Sequence, residues 1–201
     1  TGPDRDAKLT PRIAESAKFL WLIYAGLTLI CGISYFLAGM SPFDAVCHAF
    51  STVAIGGFST HDLSFQHFDL TSIKLVAIFF MIVSGINFAL HFSVLKRRNP
   101  FLYLADAEVR TYFLILLLIS SFLIVVFQFR ESDSDADYID HLFQAVSFAT
   151  TTGFVSSELY LWPPIAQVIL ILAAFAGGCA GSTAGGIKII RVLTFRRQGA
   201  R

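Results

Sequence analysis

Long apolar runs alternate with short polar segments along the whole chain. Four runs are long enough to cross, or nearly cross, the ~30 Å hydrocarbon core of a membrane as helices, since a helix rises ~1.5 Å per residue. They cover residues 19–38, 73–95, 112–129 and 164–195. The pattern predicts an all-α integral membrane protein. The start of the chain has no signal-peptide pattern, because the first apolar run is too long for one.

Two shorter segments between these runs repeat each other at a spacing of 96 residues. The positions Asp44, Ala49, Ser51, Gly57 and Phe58 recur as Asp140, Ala145, Ser147, Gly153 and Phe154. Five identities exceed the roughly one expected by chance in such a short window, and a fixed period indicates a repeated structural unit. Because each copy lies between two apolar runs, the unit is predicted to be a membrane helix, a re-entrant pore loop and a second membrane helix. Two tandem repeats, 19–98 and 99–201, would follow a cytoplasmic segment, 1–18.

Each re-entrant segment begins with helix-start residues. Ser41 suits the N-cap, Pro42 suits the first helical position, and Asp44 at the third position can return a hydrogen bond to the cap. In the second copy Asp137 takes the cap position and Asp140 the third. The repeated aspartate is therefore interpreted as a capping residue rather than an ion ligand.

The short helices and the turns after them suit a pore. About a dozen residues of helix extend only ~18 Å, so each helix would end near mid-membrane with its negative end toward the pore axis. The first turn segment, 53–58, and the second turn segment, 149–154, contain no charged side chain. Their backbone could present carbonyl oxygens that replace the hydration shell of K+, with glycine allowing positive φ. The alternative is an ordinary turn of a helical hairpin, against which the repetition and the polar run Thr150, Thr151 and Thr152 argue.

Charge is distributed unevenly, although the net charge is only +1. Thirteen of the 15 basic residues fall on one predicted side of the membrane, and nine of the 14 acidic residues fall on the other. Because basic flanks stay in the cytoplasm, both termini are predicted inside, and both re-entrant segments enter from outside. The acidic outer mouth, including the run 131–140, would either raise the local cation concentration or be a solvated loop.

The fourth apolar run contains a glycine-rich segment, 177–186, called the glycine loop below. Five glycines in ten residues make a continuous helix poorly supported, since each costs ~1 kcal/mol relative to alanine. An unwound intramembrane loop is predicted, with close helix packing through small residues as the alternative. Lys188 and Arg191 beyond it are interpreted as snorkelling anchors, or as contacts to a regulatory subunit.

The histidines and cysteines do not form a pattern that is typical of an enzyme active site. His61 and His67 match no zinc spacing and are interpreted as loop residues, while His91 is a candidate for a proton path. The three cysteines are predicted to be buried structural thiols. The sequence has no phosphate-binding loop, nucleophile elbow or paired intramembrane carboxylates, so no enzymatic activity, cofactor or nucleic-acid partner is expected.

Segments 52–62, 149–154 and 177–191 resemble the TrkH/TrkG potassium-uptake family, which is related to KtrB. The similarity extends over nearly the whole chain. The family builds a pore from four helix–loop–helix repeats around a pseudo-fourfold axis, and this chain matches the second and third. The resemblance therefore implies half of a cation channel, as a fragment of a longer protein or as a natural half-size subunit that pairs.

The resemblance also implies roles for single residues. Ion-coordinating carbonyls would belong to Ile55, Gly56, Thr151 and Thr152. The turns would be shaped by Val53, Ala54, Gly57, Thr150 and Gly153. The glycine loop would act as a gate through Gly177, Gly178, Gly181, Ser182, Thr183, Gly185 and Gly186. One glycine per repeat implies fewer ordered rings of carbonyl oxygens, so the resemblance does not determine how well K+ is selected over Na+.

The resemblance finally implies a bacterial inner-membrane protein in contact with lipid. It would form a homodimer that binds a cytosolic ring of TrkA-like nucleotide-binding subunits, with K+ as the transported ion. The alternatives are a proton- or sodium-coupled potassium symporter and a non-conducting membrane interaction module.

Overall fold

The computed structural model of the protein describes residues 4–128 and 138–199, and the side chains of 17–128, 138–195 and 198. The described residues are helical, with short 3-10 turns and no strand. The helices are α1 (Asp4–Leu37), α2 (Pro42–Val53), α3 (Thr71–Ser84), α4 (Phe88–Arg97), α5 (Phe101–Ala105), α6 (Ala107–Gln128), α7 (Tyr138–Ala149), α8 (Pro164–Ala176) and α9 (Ile189–Gly199). The acidic residues 131–137, including the predicted cap Asp137, lie outside the described residues.

The long helices agree with the hydropathy pattern. Ala17–Leu37 within α1 and the whole of α6 are long and apolar enough to cross a membrane, and α3 and α4 together would make a third span. The fourth predicted span is divided, because α8 ends at Ala176 and α9 begins at Ile189. The residues between these helices are non-helical, as the glycine content predicts.

The prediction of one helix over 73–95 is wrong. The chain bends by 92° between α3 and α4. Gly85 at the break lies so close to the Tyr112 hydroxyl that a Cβ there would collide with it. Asn87 starts the new helix, since its side-chain oxygen accepts the N–H of Ala89 at 2.8 Å. The apolar run continues through the break, so hydropathy alone did not indicate it. Gly85 and Asn87 are nevertheless residue types that commonly end and start helices.

Both re-entrant helices form where the repeat predicts them. α2 and α7 have 12 residues each, too few to span a membrane. Ser41 caps α2, because its hydroxyl accepts the N–H of Asp44 at 3.1 Å and donates to the Asp44 carboxylate at 2.7 Å. Asp44 lies at the predicted position, but its carboxylate receives the serine hydroxyl rather than the backbone N–H of Ser41.

Asp140 has a role that the repeat did not predict. It lies third in α7, but its carboxylate is 2.7 Å from the ammonium of Lys74 on α3. Both side chains are mostly buried. The pair joins the first repeat to the second, alongside a shared core in which Phe65 packs on Phe143 and Phe154.

Removing one partner of this pair should destabilise the fold. Lys74→Met is expected to lower the free energy of unfolding by about 2 kcal/mol, because a largely buried carboxylate loses its partner. Thermal unfolding of the detergent-solubilised full-length protein measures the effect. The double variant Lys74→Met with Asp140→Leu should recover most of the loss. Equal melting temperatures for wild type and the single variant would contradict an energetic role for the pair.

Candidate functional site

The two turn segments have the same unusual backbone. Ile55 and Thr151 occupy equivalent positions and have φ of 55° and 68°. Gly57 and Gly153, two residues later, have φ of 71° and 85°. Positive φ is uncommon for residues other than glycine and is rare for a β-branched side chain. The same strained geometry in both copies indicates that the surrounding structure imposes it.

Hydrogen bonds hold each turn segment to its own short helix in the same register. The N–H of Gly56 donates to the carbonyl of Ser51 at 2.7 Å, and the N–H of Thr152 donates to the carbonyl of Ser147 at 2.8 Å. In the part of the chain that the structure describes, no hydrogen bond reaches the carbonyl oxygens of Ile55, Gly56, Thr151 and Thr152. The carbonyls predicted to bind an ion are therefore free of protein donors.

The two turn segments lie against each other. A Cβ built on Gly57 would overlap the carbonyl oxygen of Thr152 and come within 3.0 Å of its carbonyl carbon. No larger residue fits there without moving one of the segments. Equivalent turn segments from the two repeats thus meet through their backbones.

Residues beside the predicted ligands have supporting contacts. The Val53 carbonyl accepts the Thr183 hydroxyl at 2.8 Å, and Ala54 is exposed. Thr150 is fully buried, and its hydroxyl bonds to the Val146 carbonyl at 2.8 Å and the Thr152 hydroxyl at 2.7 Å. The hydrogen bonds of the buried Thr150 and Thr152 thus stabilise the second turn segment against α7.

The glycine loop is held in one compact arrangement. Gly177, Gly181 and Gly186 all have positive φ. The backbones of Gly177 and Gly186 touch, since a Cβ on Gly186 would come within 2.7 Å of the Gly177 Cα. A further hydrogen bond joins the two ends of the loop, since the N–H of Ile187 donates to the Phe175 carbonyl at 3.0 Å. The glycines are thus required by backbone contact as well as by φ.

The glycine loop is hydrogen-bonded to both turn segments. The Thr183 hydroxyl donates to the Val53 carbonyl at 2.8 Å, and the N–H of Gly185 donates to the Thr151 hydroxyl oxygen at 2.7 Å. The loop therefore packs directly against the segments that carry the free carbonyls.

The broken helix supplies further partners for the glycine loop. The N–H of Cys179 donates to the Gly85 carbonyl at 2.9 Å, and the N–H of Phe88 donates to the Gly181 carbonyl at 3.0 Å. An unbroken helix would use these backbone groups internally. The break and the loop therefore complete each other's hydrogen bonding.

Sequence reasoning missed one residue of this region. Glu108, in the first turn of α6, accepts the N–H groups of Ala180 and Ile190 with its carboxylate oxygen Oε1. An acidic residue in the first turn of a helix is ordinary, because it faces the positive end of the helix. Nothing in the local pattern therefore distinguished Glu108.

Lys188 does not match its interpretation as a snorkelling anchor. Its ammonium turns back and donates to the Ala184 carbonyl of the glycine loop, and its backbone has φ of 69°. The side chain of Arg191 is exposed. Of the two basic residues, Lys188 thus belongs to the loop structure.

The outer mouth is organised around Asp44. Its carboxylate accepts the Thr60 hydroxyl at 2.6 Å and lies 3.3 Å from His61 Nε2. Hydrogen bonds from Ser41 and Thr60 lower the pKa of Asp44 below its usual 3.8. The ring of His61 stacks on that of His67 with centroids 3.6 Å apart. Among the described residues, no group of three or more histidine, cysteine, aspartate and glutamate side chains could hold a metal ion.

His91 is fully hydrogen-bonded where the helix breaks. One ring nitrogen is 2.7 Å from the Tyr103 hydroxyl and the other is 3.0 Å from the Val83 carbonyl. The cysteines are free thiols; Cys31 and Cys179 are buried and Cys47 is half-buried.

Comparison with known protein families and with curated proteins finds similarity to potassium-uptake and cation-transport proteins. The family described as "TrkH: Cation transport protein" matches residues 1–201. The chain is 47% identical over 205 residues to the Trk system potassium uptake protein TrkH of Vibrio parahaemolyticus, covering all of this chain and 42% of that protein. TrkG of Escherichia coli is 40% identical over 200 residues, which cover 98% of this chain and 41% of TrkG.

A solved structure shares the fold. The crystal structure of the potassium transporter TrkH from Vibrio parahaemolyticus superposes with a TM-score of 0.89 at 44% identity, covering 95% of this chain and 42% of that chain. The predicted all-helical membrane fold is thereby confirmed. The chain spans less than half the length of the curated relatives that it matches.

Proposed function

The chain belongs to the TrkH family of cation transport proteins, and on that premise we propose that it forms two quadrants of a potassium-uptake pore. Membership of a transport family agrees with the expectation that the protein is not an enzyme. One observation carries the proposal: both turn segments have the same positive-φ backbone at equivalent positions. The remaining quadrants would come from parts of a longer protein, as the 42% coverage of the relative indicates.

Cations would be coordinated by backbone. The free carbonyls of Ile55, Gly56, Thr151 and Thr152 replace part of the hydration shell of K+. The C-terminal ends of α2 and α7 precede these carbonyls and add partial negative charge. The interior-negative membrane potential then drives the ion inward, at ~2.3 kcal/mol per charge for 100 mV.

The glycine loop would be the gate. Its hydrogen bonds to Val53 and Thr151 support this role, because the loop packs on both turn segments. A loop in that position would obstruct an ion that leaves the carbonyls. Conduction then requires the loop to exchange these hydrogen bonds for others. Its three positive-φ glycines allow two backbone arrangements without side-chain clashes.

The family and the charge pattern support the partners and the orientation that we propose. The protein works as a homodimer in the bacterial inner membrane with both termini cytoplasmic, and a TrkA-like nucleotide-binding ring controls the gate. The exposed Arg191 follows the glycine loop directly in α9, so a subunit bound there could pull on the loop. Basic side chains also favour the cytoplasmic face.

Recordings from the full-length protein in planar bilayers test the function. A channel-like pore should give a reversal potential set by the K+ gradient and unchanged by a pH gradient across the bilayer. A potential that shifts with pH as coupling demands would support the proton symporter instead. Absence of both K+ current and tracer Rb+ uptake in liposomes would support the non-conducting interaction module.

A further inference from the structure

Glu108 connects the glycine loop and the start of α9 to α6. Its carboxylate oxygen Oε1 accepts the N–H of Ala180 at 2.6 Å and the N–H of Ile190 at 3.1 Å. Ala180 lies in the first half of the loop, and Ile190 lies in the first turn of α9. One side chain therefore joins two backbone positions that are ten residues apart in sequence.

The acceptor itself is fixed. Asp106 caps α6, since its Oδ1 accepts the N–H groups of Glu108 at 2.8 Å and Val109 at 3.0 Å. Val109 and Tyr112 on the same helix are buried in the core. Glu108 is thus held by a packed helix, whereas its two donors lie in the glycine loop and in the first turn of α9.

The chemistry favours a strong attachment. Hydrogen bonds to an ionised acceptor are shorter and stronger than those between neutral groups. Ile190 contributes one of the first N–H groups of α9, which have no partner within their own helix. A carboxylate at that end also faces the positive pole of α9.

We propose that Glu108 is a positioning residue that holds the glycine loop in its closed arrangement. The proposal rests on the proposed function of the loop as the gate. Losing the carboxylate frees the glycine loop and the start of α9 together, while the turn segments keep their own hydrogen bonds to Ser51 and Ser147. The closed arrangement then loses stability relative to the open one, and the coordinating carbonyls are unaltered.

The buried thiol of Cys179 reports on the loop without any transport measurement. It is fully buried and lies next to Ala180. In full-length protein with its other cysteines replaced by serine, the rate of modification by N-ethylmaleimide measures how often the loop opens. Glu108→Ala should raise that rate about tenfold, and Glu108→Gln, which keeps an oxygen acceptor without charge, should raise it less.

Asp106→Asn is the matched control. It removes a neighbouring negative charge and keeps a good cap for α6, so Cys179 should react more slowly than in Glu108→Gln. An equal rise in Asp106→Asn and Glu108→Gln, or no rise in either Glu108 variant, would overturn the proposal. If Glu108→Ala does not fold, the comparison of Cys179 modification rates in Glu108→Gln and Asp106→Asn tests the proposal.

Tracer Rb+ uptake by the same variants separates this inference from the function on which it rests. Faster Cys179 modification with a larger Rb+ flux and an unchanged Rb+/Na+ permeability ratio supports both. Faster modification with unchanged flux leaves Glu108 as the anchor of the loop and overturns the gating role. A larger flux without faster modification overturns the anchoring role.

Discussion

Replacing Gly57 by serine in the full-length protein should abolish selective K+ conduction. The new Cβ would overlap the Thr152 carbonyl oxygen of the neighbouring turn segment, one of the predicted ion ligands. The residue would also have to keep φ near 71°, which costs a side chain other than glycine about 1–2 kcal/mol. The two turn segments must therefore separate, and the spacing of the carbonyl ring changes with them. We expect at least about a tenfold fall in the K+/Na+ permeability ratio, since 1.4 kcal/mol of lost discrimination corresponds to that factor.

Bi-ionic reversal potentials measure this ratio directly. Gly26→Ser is the matched control, because a Cβ at Gly26 meets no atom within 4 Å and its φ is ordinary. Its ratio should equal that of wild type. Gly153→Ser shares the positive φ but has no such neighbour among the described residues, so it isolates the effect of strain. A wild-type ratio in Gly57→Ser would contradict the assignment of the turn segments as the filter.

Local sequence signals predicted the parts of the fold that depend on short-range chemistry. The serine, proline and aspartate that start α2 act within one turn of helix, and the hydrophobic runs fix α1 and α6. The glycine loop was predictable because five glycines disfavour a helix in any surroundings. The repeat by itself indicates the common register of both turn segments.

Contacts between distant segments could not be predicted in the same way. Lys74 and Asp140 are 66 residues apart, and Glu108 is 72 residues from Ala180. Each residue is ordinary in its own local pattern. The positive φ of Ile55 and Thr151 is likewise imposed from outside, because a β-branched residue does not adopt it by preference. The Trk family resemblance pointed to these two residues without giving a physical reason for their conformation.

The bend between α3 and α4 gives the glycine loop a place to bind. A continuous helix would satisfy the Gly85 carbonyl and the Phe88 N–H internally, and the loop would have lost two partners. The loop in turn satisfies groups that would be costly to leave unpaired at membrane depth. The proposed opening of the loop would leave these backbone groups unpaired on both elements, so the closed and open arrangements would be discrete.

Shortening the glycine loop should increase ion flux. Deleting residues 181–183 removes the Thr183 hydroxyl that bonds to Val53 and the Gly181 carbonyl that receives the Phe88 N–H. The shortened loop loses one bond to α4 and one to the first turn segment, so the proposed obstruction below the carbonyls is weakened. We expect Rb+ uptake by the full-length protein in liposomes to rise by about tenfold or more, given that each lost bond contributes about 1 kcal/mol to the closed arrangement.

The point variant Thr183→Val gives a graded form of the same experiment. It keeps the length of the loop and removes only its hydroxyl donor, so the flux should rise less than in the deletion. Thr111→Val is its control, because the Thr111 hydroxyl bonds only to the Ala107 carbonyl of its own helix at 2.9 Å. If the glycine loop gates the pore, flux should follow the order deletion, Thr183→Val, wild type, with Thr111→Val equal to wild type. Unaltered flux in the deletion variant would eliminate the loop as a gate while leaving the filter assignment to the Gly57 experiment.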